Sequence, residues 1–595
     1  MDPEDPAMRY PESFFKAVRS AFERLGMDQE PIIERPRSDQ ADLCLVCFPL
    51  AKEMRRSPEE IAKEVKSLIP GSELWTLDVN GGYLNCNFRD EMYITDSGDY
   101  IWKLGEDFGK GDQKGEFTIV EHTSANPNGP FHVGRARNPI IGDTLVRLLR
   151  MAGDQVESQY WVNDMGKQAM ILVWGVHNIP EEDLRSVDRE KEDHLLVRYY
   201  QAANAAMESD PRIEQGMNQL LKNYEDAMGS GEMDRDISPE GSNPISAGSV
   251  KQIIDRVLEG MKDSLGLMNV QLDRFVYESK VVRDGSLKEV IKGLERSGLC
   301  REEDGAKYLD LSGELKGGDE EKFRKRFVFT KGDGSALYTT RDLAYHQWKL
   351  NRCDRAVNVL GEDHRYQSKM LELALRELGS EKLPEPIFYA FVSLPLGKMS
   401  TRRGRVVYLD DLLDEAIERA RIEVEKRRDY SPEDLERISG QVGVGALRFN
   451  MIRVQPEKKI VFRWEEALNF EGASAPFIQY SHARACSILN KGDVDISDID
   501  PDWNSLVEKS ERSLIKMLSG FPSIVEDSAE KRKPHLLAGY MVDVASSFNE
   551  FYRDCPVLNE SDASRRETRL ALVEASRRVI SNGLGCLGID SPEMM

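Results

Sequence analysis

Residues 117–153 read FTIVEHTSANPNGPFHVGRARNPIIGDTLVRLLRMAG and carry the strongest structural signal in the chain. A short apolar strand comes first, then a loop rich in Pro, Gly and Asn, then an amphipathic helix that ends near Gly153. A strand, a tight loop and a helix open a nucleotide-binding α/β domain, in which the helix N-terminus faces the ligand. The stretch therefore predicts a Rossmann-type domain.

The loop before this helix suits a phosphate-bearing ligand. Gly129 and Gly134 bracket His132, which lies just before the predicted helix start. Backbone N–H groups and the helix macrodipole favour an anion there. Arg135 and Arg137 add permanent positive charge, which suits a polyphosphate. A histidine before a helix is more often structural than catalytic, so the loop alone leaves both roles open.

The remaining pattern predicts an α/β multidomain protein of 595 residues. Residues 1–110 predict an α+β domain, and residues 111–400 predict the Rossmann-type domain with an insertion at about 180–325. Apolar residues recur at helical spacing from there on. We expect a helical region at 401–474 and an all-α bundle at 475–595. The charged part of the insertion, before residue 250, ends in turn formers that predict a loop and carries no functional signal.

Composition is that of a globular protein, with 40% hydrophobic and 31% charged residues. No apolar run is long enough for a membrane span, and the acidic N-terminus lacks a secretory signal, so we expect no membrane partner and a cytoplasmic protein. Cys44 and Cys47 have no second pair or nearby His, and we expect neither a metal site nor a disulfide. The net charge of −23 does not decide for or against nucleic acid, which binds to local patches.

Within the opening stretch, HVGR at 132–135 resembles the "HIGH" motif of class I aminoacyl-tRNA synthetases. The longer run from Glu121 through Ser-Ala-Asn-Pro to this motif resembles the signature of the arginine enzymes. The usual final His of the motif is Arg135, which cannot titrate near neutrality. The resemblance implies contacts to arginine by Glu121, Ser124 and Asn126, contacts to ATP by His132, Gly134 and Arg135, and catalytic roles for His132 and Arg135.

Two further segments resemble the amino-acid pocket of that family. YWVNDMGKQ at 160–168 matches its Asn-Asp-x-Gly-x-Gln run, which implies Asn163 and Gln168 in the pocket. LYTTRD at 337–342 matches its Tyr-x-Thr-Arg-Asp element, which implies that Tyr338 and Asp342 lie opposite Glu121. An aromatic ring and two carboxylates fit a planar guanidinium better than a Lys ammonium. The expected substrate is therefore arginine.

The second half of the ATP site is expected from two loops. GEDHRYQ at 361–367 resembles the family's Gly-x-Asp-His loop, which implies nucleotide contacts by Asp363 and His364. KMSTRR at 398–403 resembles the "KMSKS" loop, with Thr401 in place of the second Lys. Mobile cations of this kind stabilise a pyrophosphate leaving group. The resemblance implies ATP contacts by Lys398, Met399 and Ser400, with Lys398 catalytic.

The C-terminal bundle resembles the anticodon-binding domain of the same family, and the N-terminal domain resembles its tRNA-elbow domain. Segments FEGASAPFIQYSHARACSIL at 470–489 and SSFNEFYRDCPVL at 546–558 carry the first likeness. Hydrogen-bonding and aromatic side chains suit unstacked bases. The residues that this resemblance assigns to tRNA are Gln479, Tyr480, His482, Arg484, Asn549, Tyr552 and the terminal Met595.

The combined prediction is ATP-dependent activation of L-arginine and its transfer to the 3′-terminal adenosine of tRNA(Arg), with Mg²⁺ and as a monomer. Two alternatives stay open. One is a class I synthetase for another amino acid, such as cysteine or lysine; the missing zinc ligands weaken cysteine, and the two-carboxylate pocket disfavours uncharged substrates. The other is a non-catalytic tRNA-binding paralogue, which Arg135 and Thr401 leave possible.

Overall fold

The structure is a computed structural model. It describes residues 5–34, 36, 41–187, 189–313, 325–393, 408–492 and 494–595. None of the helices in these ranges is both long and apolar enough to cross a membrane.

The N-terminal domain packs helices on an antiparallel sheet with strand order β1-β2-β4-β3. Strands β3 and β4 form an antiparallel pair that turns at Gly81, which has a φ of +56°. Ser57 begins α3 with a capping box that includes Glu60. The elements are α1 (Pro6–Arg24), β1 (Ile33–Glu34), β2 (Leu43–Val46), α2 (Phe48–Met54), α3 (Pro58–Leu68), β3 (Trp75–Asn80), β4 (Tyr83–Phe88) and α4 (Asp90–Leu104).

The central domain has the predicted Rossmann-type core, a parallel sheet with strand order β12-β11-β5-β6-β7. Its elements are β5 (Phe117–Glu121), α5 (Arg137–Met151), β6 (Gln155–Val162), α6 (Lys167–Asn178), α7 (Glu192–Ser209), α8 (Pro211–Ser230), α9 (Ala247–Leu267), β7 (Arg274–Tyr277), α10 (Glu278–Arg283), α11 (Ser286–Glu295), β8 (Cys300–Glu303), β9 (Ala306–Asp310), β10 (Arg326–Thr330), α12 (Tyr338–Leu350), β11 (Arg355–Gly361), α13 (Arg365–Glu377), β12 (Glu385–Tyr389) and β13 (Val392–Ser393). The strand order reverses between β5 and β11, and parallel sheets of this kind bind ligands at such a switch point, beyond the carboxyl ends of the strands.

The predicted insertion at 180–325 is not one separate unit. Strand β7 lies inside that range yet pairs with β6 as an edge strand of the central sheet. Helices α7, α8 and α9 precede β7, and the antiparallel sheet β8–β10 follows it. The turn-rich segment before α9 forms the predicted loop, and it packs against the core through buried Ile237 and Ile245.

The C-terminal part is helical, as the sequence predicts. Its elements are α14 (Leu409–Glu425), α15 (Pro432–Ile452), β14 (Ile460–Val461), α16 (Trp464–Ala467), α17 (Ala475–Lys491), α18 (Lys509–Ser519), α19 (Phe521–Glu530), α20 (Pro534–Asp554) and α21 (Ala563–Cys586).

Arg448 joins the helical part to the central domain. Its guanidinium is fully buried, lies 2.6 Å from the Asp143 carboxylate on α5, and donates to the backbone oxygens of Met268 and Leu587. Gly588, with φ of +68°, has to be glycine because a Cβ there would lie 2.0 Å from this guanidinium. The helix after the His132 loop is thus fixed from the C-terminal side.

Candidate active site

The loop after β5 has an unusual backbone. Thr123 and Ser124 have φ of +71° and +33°, which L residues rarely adopt. Asn138 on α5 holds them: its Oδ1 accepts from the Thr123 N–H at 2.6 Å, and its Nδ2 donates to the Val359 oxygen of β11. Asn138 of α5 therefore links the loop after β5 to strand β11 at the switch point.

His122 also supports the loop after β5, from its buried side. Its ring is buried against Gly142 of α5, where an added Cβ would lie 2.2 Å away. Burial lowers the pKa of His122 to about 4, so the ring is neutral at physiological pH. Its Nδ1 lies 2.9 Å from the Thr123 hydroxyl. The structure assigns His122 to supporting the loop.

His132 is exposed and its orientation is defined. Its Nδ1 accepts a hydrogen bond from the Gly134 N–H at 3.0 Å, so the neutral ring carries its proton on Nε2. Partial burial and the neighbouring Arg135 lower the pKa of His132. Arg135 is also exposed, on the 3₁₀ turn that precedes α5. The turn thus offers an N–H donor and a fixed cation to a ligand.

Arg137 does not belong to this cationic surface, so its predicted part in polyphosphate binding is wrong. It is fully buried, and burial lowers its pKa to about 10. Its guanidinium fills a cage of carbonyl groups that leaves no donor for a phosphate. It donates to the backbone oxygens of Ala390, Met451, Val454, Gln455, Pro456 and Lys458.

Glu121, the last residue of β5, is buried and already paired. Its Oε2 lies 2.6 Å from the ammonium of Lys349, a side chain with no exposed surface. Oε1 is 3.5 Å from the Ser124 hydroxyl, which also accepts from the Trp161 N–H. Only Oε1 of Glu121 is left for a substrate, and Ser124 is engaged by backbone.

A chain of hydrogen bonds leads from Glu121 to Asp342. Lys349 also donates to Asn358 Oδ1 at 2.8 Å, and Asn358 Nδ2 donates to His346 Nε2 at 2.6 Å. His346 Nδ1, which then carries the proton, lies 2.9 Å from the backbone oxygen of Asp342 and 3.1 Å from Asp342 Oδ1. Burial would raise the pKa of Asp342, but His346, Lys349 and His364 outweigh it and lower the pKa. Asp342 is an ionised carboxylate, and 35% of its side chain is exposed.

Tyr338 and His364 lie beside Asp342. The Tyr338 hydroxyl accepts from Gln367 Nε2, and Gln367 Oε1 lies 2.8 Å from His364 Nδ1. Burial and the charge of Asp342 raise the pKa of Tyr338. The structure therefore brings together Tyr338, Asp342 and His364, which belong to two separate sequence motifs.

The side chains predicted on β6 and α6 have different environments. Gln168 Oε1 accepts from Asn126 at 2.8 Å and from Asn128 at 3.2 Å, so loop and helix face each other. Asn163 Oδ1 is buried without a hydrogen-bond partner among the described residues. Asp164 is fully buried against Ser279, and burial raises its pKa to about 6.

The nucleotide loops are described in part. Asp363 is exposed on the 3₁₀ turn after β11, and Gly361 precedes it where a Cβ would meet its carboxylate at 2.4 Å. Lys398, Met399 and Ser400 lie outside the described residues.

A tyrosine–arginine–tyrosine cluster marks the C-terminal domain. The Arg484 guanidinium lies 4.7 Å from the ring of Tyr480 and 4.8 Å from that of Tyr552. It donates to Asn549, and Tyr552 is 44% exposed. These residues form a surface of π faces and donors.

Gln479 and His482 do not lie on that surface, and their predicted place among exposed tRNA contacts is wrong. Both are buried, because their side chains hold the chain terminus: Gln479 donates to the Asp590 oxygen, and His482 Nδ1 lies 2.9 Å from the Pro592 oxygen. Met595 packs on a cluster that includes Val424 of α14. Gln479 and His482 thus hold the C-terminal tail in place, and Met595 is part of that tail.

The sequence interpretation missed Lys349 and His346. They follow Asp342 by seven and four residues, a spacing that puts all three on one face of α12. It also missed the exposed aromatic pair of Phe48 and Tyr83 on the N-terminal domain, whose ring centroids are 5.2 Å apart. Phe48 and Tyr83 are 35 residues apart, so no local sequence pattern indicates that they pair.

Comparisons with known proteins agree on one family. Residues 11–88 match the model "Arginyl tRNA synthetase N terminal domain", 105–464 match "tRNA synthetases class I (R), catalytic domain", and 478–595 match "DALR anticodon binding domain". Proteins named arginine–tRNA ligase from Methanocella arvoryzae and Methanocaldococcus jannaschii are 46% and 40% identical, over 92% of this chain and 92% and 93% of theirs.

The same family accounts for the fold. The Thermus thermophilus arginyl-tRNA synthetase structure superimposes with a TM-score of 0.80 at 29% identity, over 98% of this chain and all of that one. The switch-point site, the His132 turn and the helical C-terminal domain lie within these matches. The chain therefore belongs to the arginyl-tRNA synthetase family of class I aminoacyl-tRNA synthetases.

Proposed function

We propose that this chain is an arginine–tRNA ligase that acts in two steps. A carboxylate oxygen of L-arginine attacks the α-phosphorus of ATP, the bond to the leaving pyrophosphate breaks, and arginyl-adenylate remains. The 2′-hydroxyl of the terminal adenosine of tRNA(Arg) then attacks the carbonyl carbon, AMP leaves, and the hydroxyl proton is lost. The observation that carries this proposal is the ionised, partly exposed Asp342 beside Tyr338 at the switch point.

Asp342 and Tyr338 are proposed to bind the guanidinium. A carboxylate can pair with it through two parallel hydrogen bonds, and the ring gives it a flat surface. Glu121 contributes through Oε1 only, because Lys349 neutralises the other oxygen. Asn126, Asn163 and Gln168 are proposed around the rest of the amino acid; the unpartnered Asn163 oxygen supports a donor there, such as the substrate ammonium.

The His132 turn is proposed to bind ATP. The Nε2–H of His132 and the cation of Arg135 face outward, which suits phosphate oxygens as charge develops. Gly134, Asp363, His364, Lys398, Met399 and Ser400 complete the proposed nucleotide contacts. Mg²⁺ would come with the ATP phosphates, which together with water supply most of its ligands; Asp363 offers an exposed carboxylate of the type it prefers. The ion would neutralise charge on the phosphates.

The two terminal domains are proposed to bind tRNA(Arg). Tyr480, Arg484, Asn549 and Tyr552 offer stacking faces and donors to unpaired anticodon bases, and Met595 lies in the adjoining tail. Phe48 and Tyr83 offer a second stacking surface on the N-terminal domain. We further propose that the protein acts as a monomer, because the three domains matched in this one chain already supply each function the reaction needs. A cytoplasmic location is proposed as well.

Pyrophosphate exchange tests the proposal. The protein is incubated with ATP, labelled pyrophosphate and each amino acid in turn, with and without total tRNA. Exchange with arginine alone supports it, and the family resemblance implies that this exchange needs bound tRNA. Exchange only with another amino acid overturns the arginine assignment, and tRNA binding without exchange under any condition favours the non-catalytic paralogue.

A further inference from the structure

A buried polar cluster holds the first turn of α14. Asp410, the second residue of that helix, is 1% exposed. Its carboxylate accepts from His194 Nε2 at 2.7 Å, from Ser264 Oγ at 2.8 Å and from Lys191 Nζ at 3.0 Å. Lys191 and His194 lie at the start of α7 and Ser264 lies on α9, so two helices converge on this side chain of α14.

Lys191 supplies the positive charge of this cluster. Asp193, His194 and Asp410 place ligand-type atoms within 4.8 Å of one another, as a metal site would. The Lys191 ammonium lies 3.3 Å from Asp193 and 3.0 Å from Asp410, and so takes the place of a cation. Buried ion pairs add little net stability because desolvation offsets their attraction, but they can specify one arrangement of the elements they join.

The same turn of α14 touches the His132 loop. The Leu409 N–H donates to the Phe131 oxygen at 2.8 Å, and Tyr408 forms an antiparallel bridge with His132. The Tyr408 ring meets the edge of the His194 ring at 5.2 Å. Leu409, which precedes Asp410, is therefore hydrogen-bonded directly to Phe131, which precedes His132.

We propose that Lys191, His194, Ser264 and Asp410 are positioning residues for the first step of the reaction. They fix the start of α14, and its backbone pairing fixes the direction of the His132 ring. This inference rests on the proposed contact of His132 with ATP. Because none of these four residues is among the proposed arginine contacts, loss of the cluster lowers kcat and leaves the KM for arginine unchanged.

A double-mutant cycle tests the inference. Asp410→Asn keeps the shape and removes the charge, and Ser264→Ala removes one donor if the first variant folds poorly. Each is measured alone and with His132→Asn in tRNA-dependent pyrophosphate exchange, well below the thermal midpoint of every variant. The matched control is Glu511→Gln, which breaks a buried ion pair with Arg569 at 2.6 Å in the C-terminal domain.

We expect Asp410→Asn to lower kcat about tenfold, since small displacements of a catalytic group have effects of this order. In the His132→Asn background the same change should cost less than about twofold, because the group being positioned is gone. Glu511→Gln should leave kcat unchanged at equal loss of thermal stability. Equal losses from Asp410→Asn in both backgrounds overturn the inference. Normal exchange by His132→Asn overturns the ATP contact as well, which separates the two failures.

Discussion

Glu121 and Asp342 lie at the two ends of one hydrogen-bond chain that runs through Lys349, Asn358 and His346. Lys349 donates in both directions, to Glu121 and to Asn358, and from Asn358 onward each donor points toward Asp342. The two carboxylates differ in exposure, because Glu121 is buried against the Lys349 ammonium, whereas Asp342 is ionised and 35% of its side chain is exposed. The site is therefore asymmetric, with its available negative charge on α12.

Asp342→Asn should weaken the binding of arginine far more than the binding of ATP. A hydrogen bond to a charged group contributes about 1.5–3 kcal/mol, so the KM for arginine should rise roughly tenfold to a hundredfold. Exchange kinetics with each substrate varied measure this, and Glu302→Gln on exposed β8 is the charge-matched control. Equal increases for both substrates would contradict a guanidinium contact.

Lys349→Met should destabilise the catalytic domain. It leaves Glu121 as a buried, unpaired charge, and breaking a buried pair in this way costs about 3–5 kcal/mol. Adding Glu121→Gln removes that charge and should recover much of the loss. Thermal unfolding of the two variants measures the difference; a double variant no more stable than Lys349→Met would disprove the pairing.

Arg135→Gln should shift the acid limb of the exchange rate to higher pH. Burial and Arg135 together hold the pKa of His132 below its ordinary value, and the neutral ring accepts the Gly134 N–H through Nδ1. Activity needs this neutral form, so it falls as pH drops through the pKa. Without Arg135 that pKa rises. A pH profile that stays in place would show that His132 protonation does not set the limb.

Arg484→Ala should weaken the binding of tRNA and leave the binding of arginine and ATP unchanged. It removes the cation between Tyr480 and Tyr552, and stacking at a base is worth about 1–3 kcal/mol, so the KM for tRNA should rise about tenfold. The KM values for arginine and ATP at saturating tRNA should not change. Arg212→Ala, on exposed α8, is the control. An unchanged KM for tRNA would exclude the cluster from binding.

The sequence predicted what local pattern and motif order can carry. The strand, loop and helix at 117–153 predicted the sheet core, whereas the arginine contacts assigned to Tyr338 and Asp342 stay a prediction. Burial was not predictable in the same way: Arg137 and Gln479 have the polar side chains of contact residues, yet each binds backbone oxygens of a distant segment. Such long-range partners leave no periodic trace along the chain.

Arg137 has a consequence for how this family can vary. It holds residues 451–458 and Ala390 through main-chain oxygens, which every amino acid supplies. The amino acids of that segment can therefore change without loss of the contact. Arg137 itself cannot be replaced by lysine, because lysine has fewer hydrogen-bond donors and no planar guanidinium. Among relatives we expect an invariant arginine facing a segment of freely changing sequence.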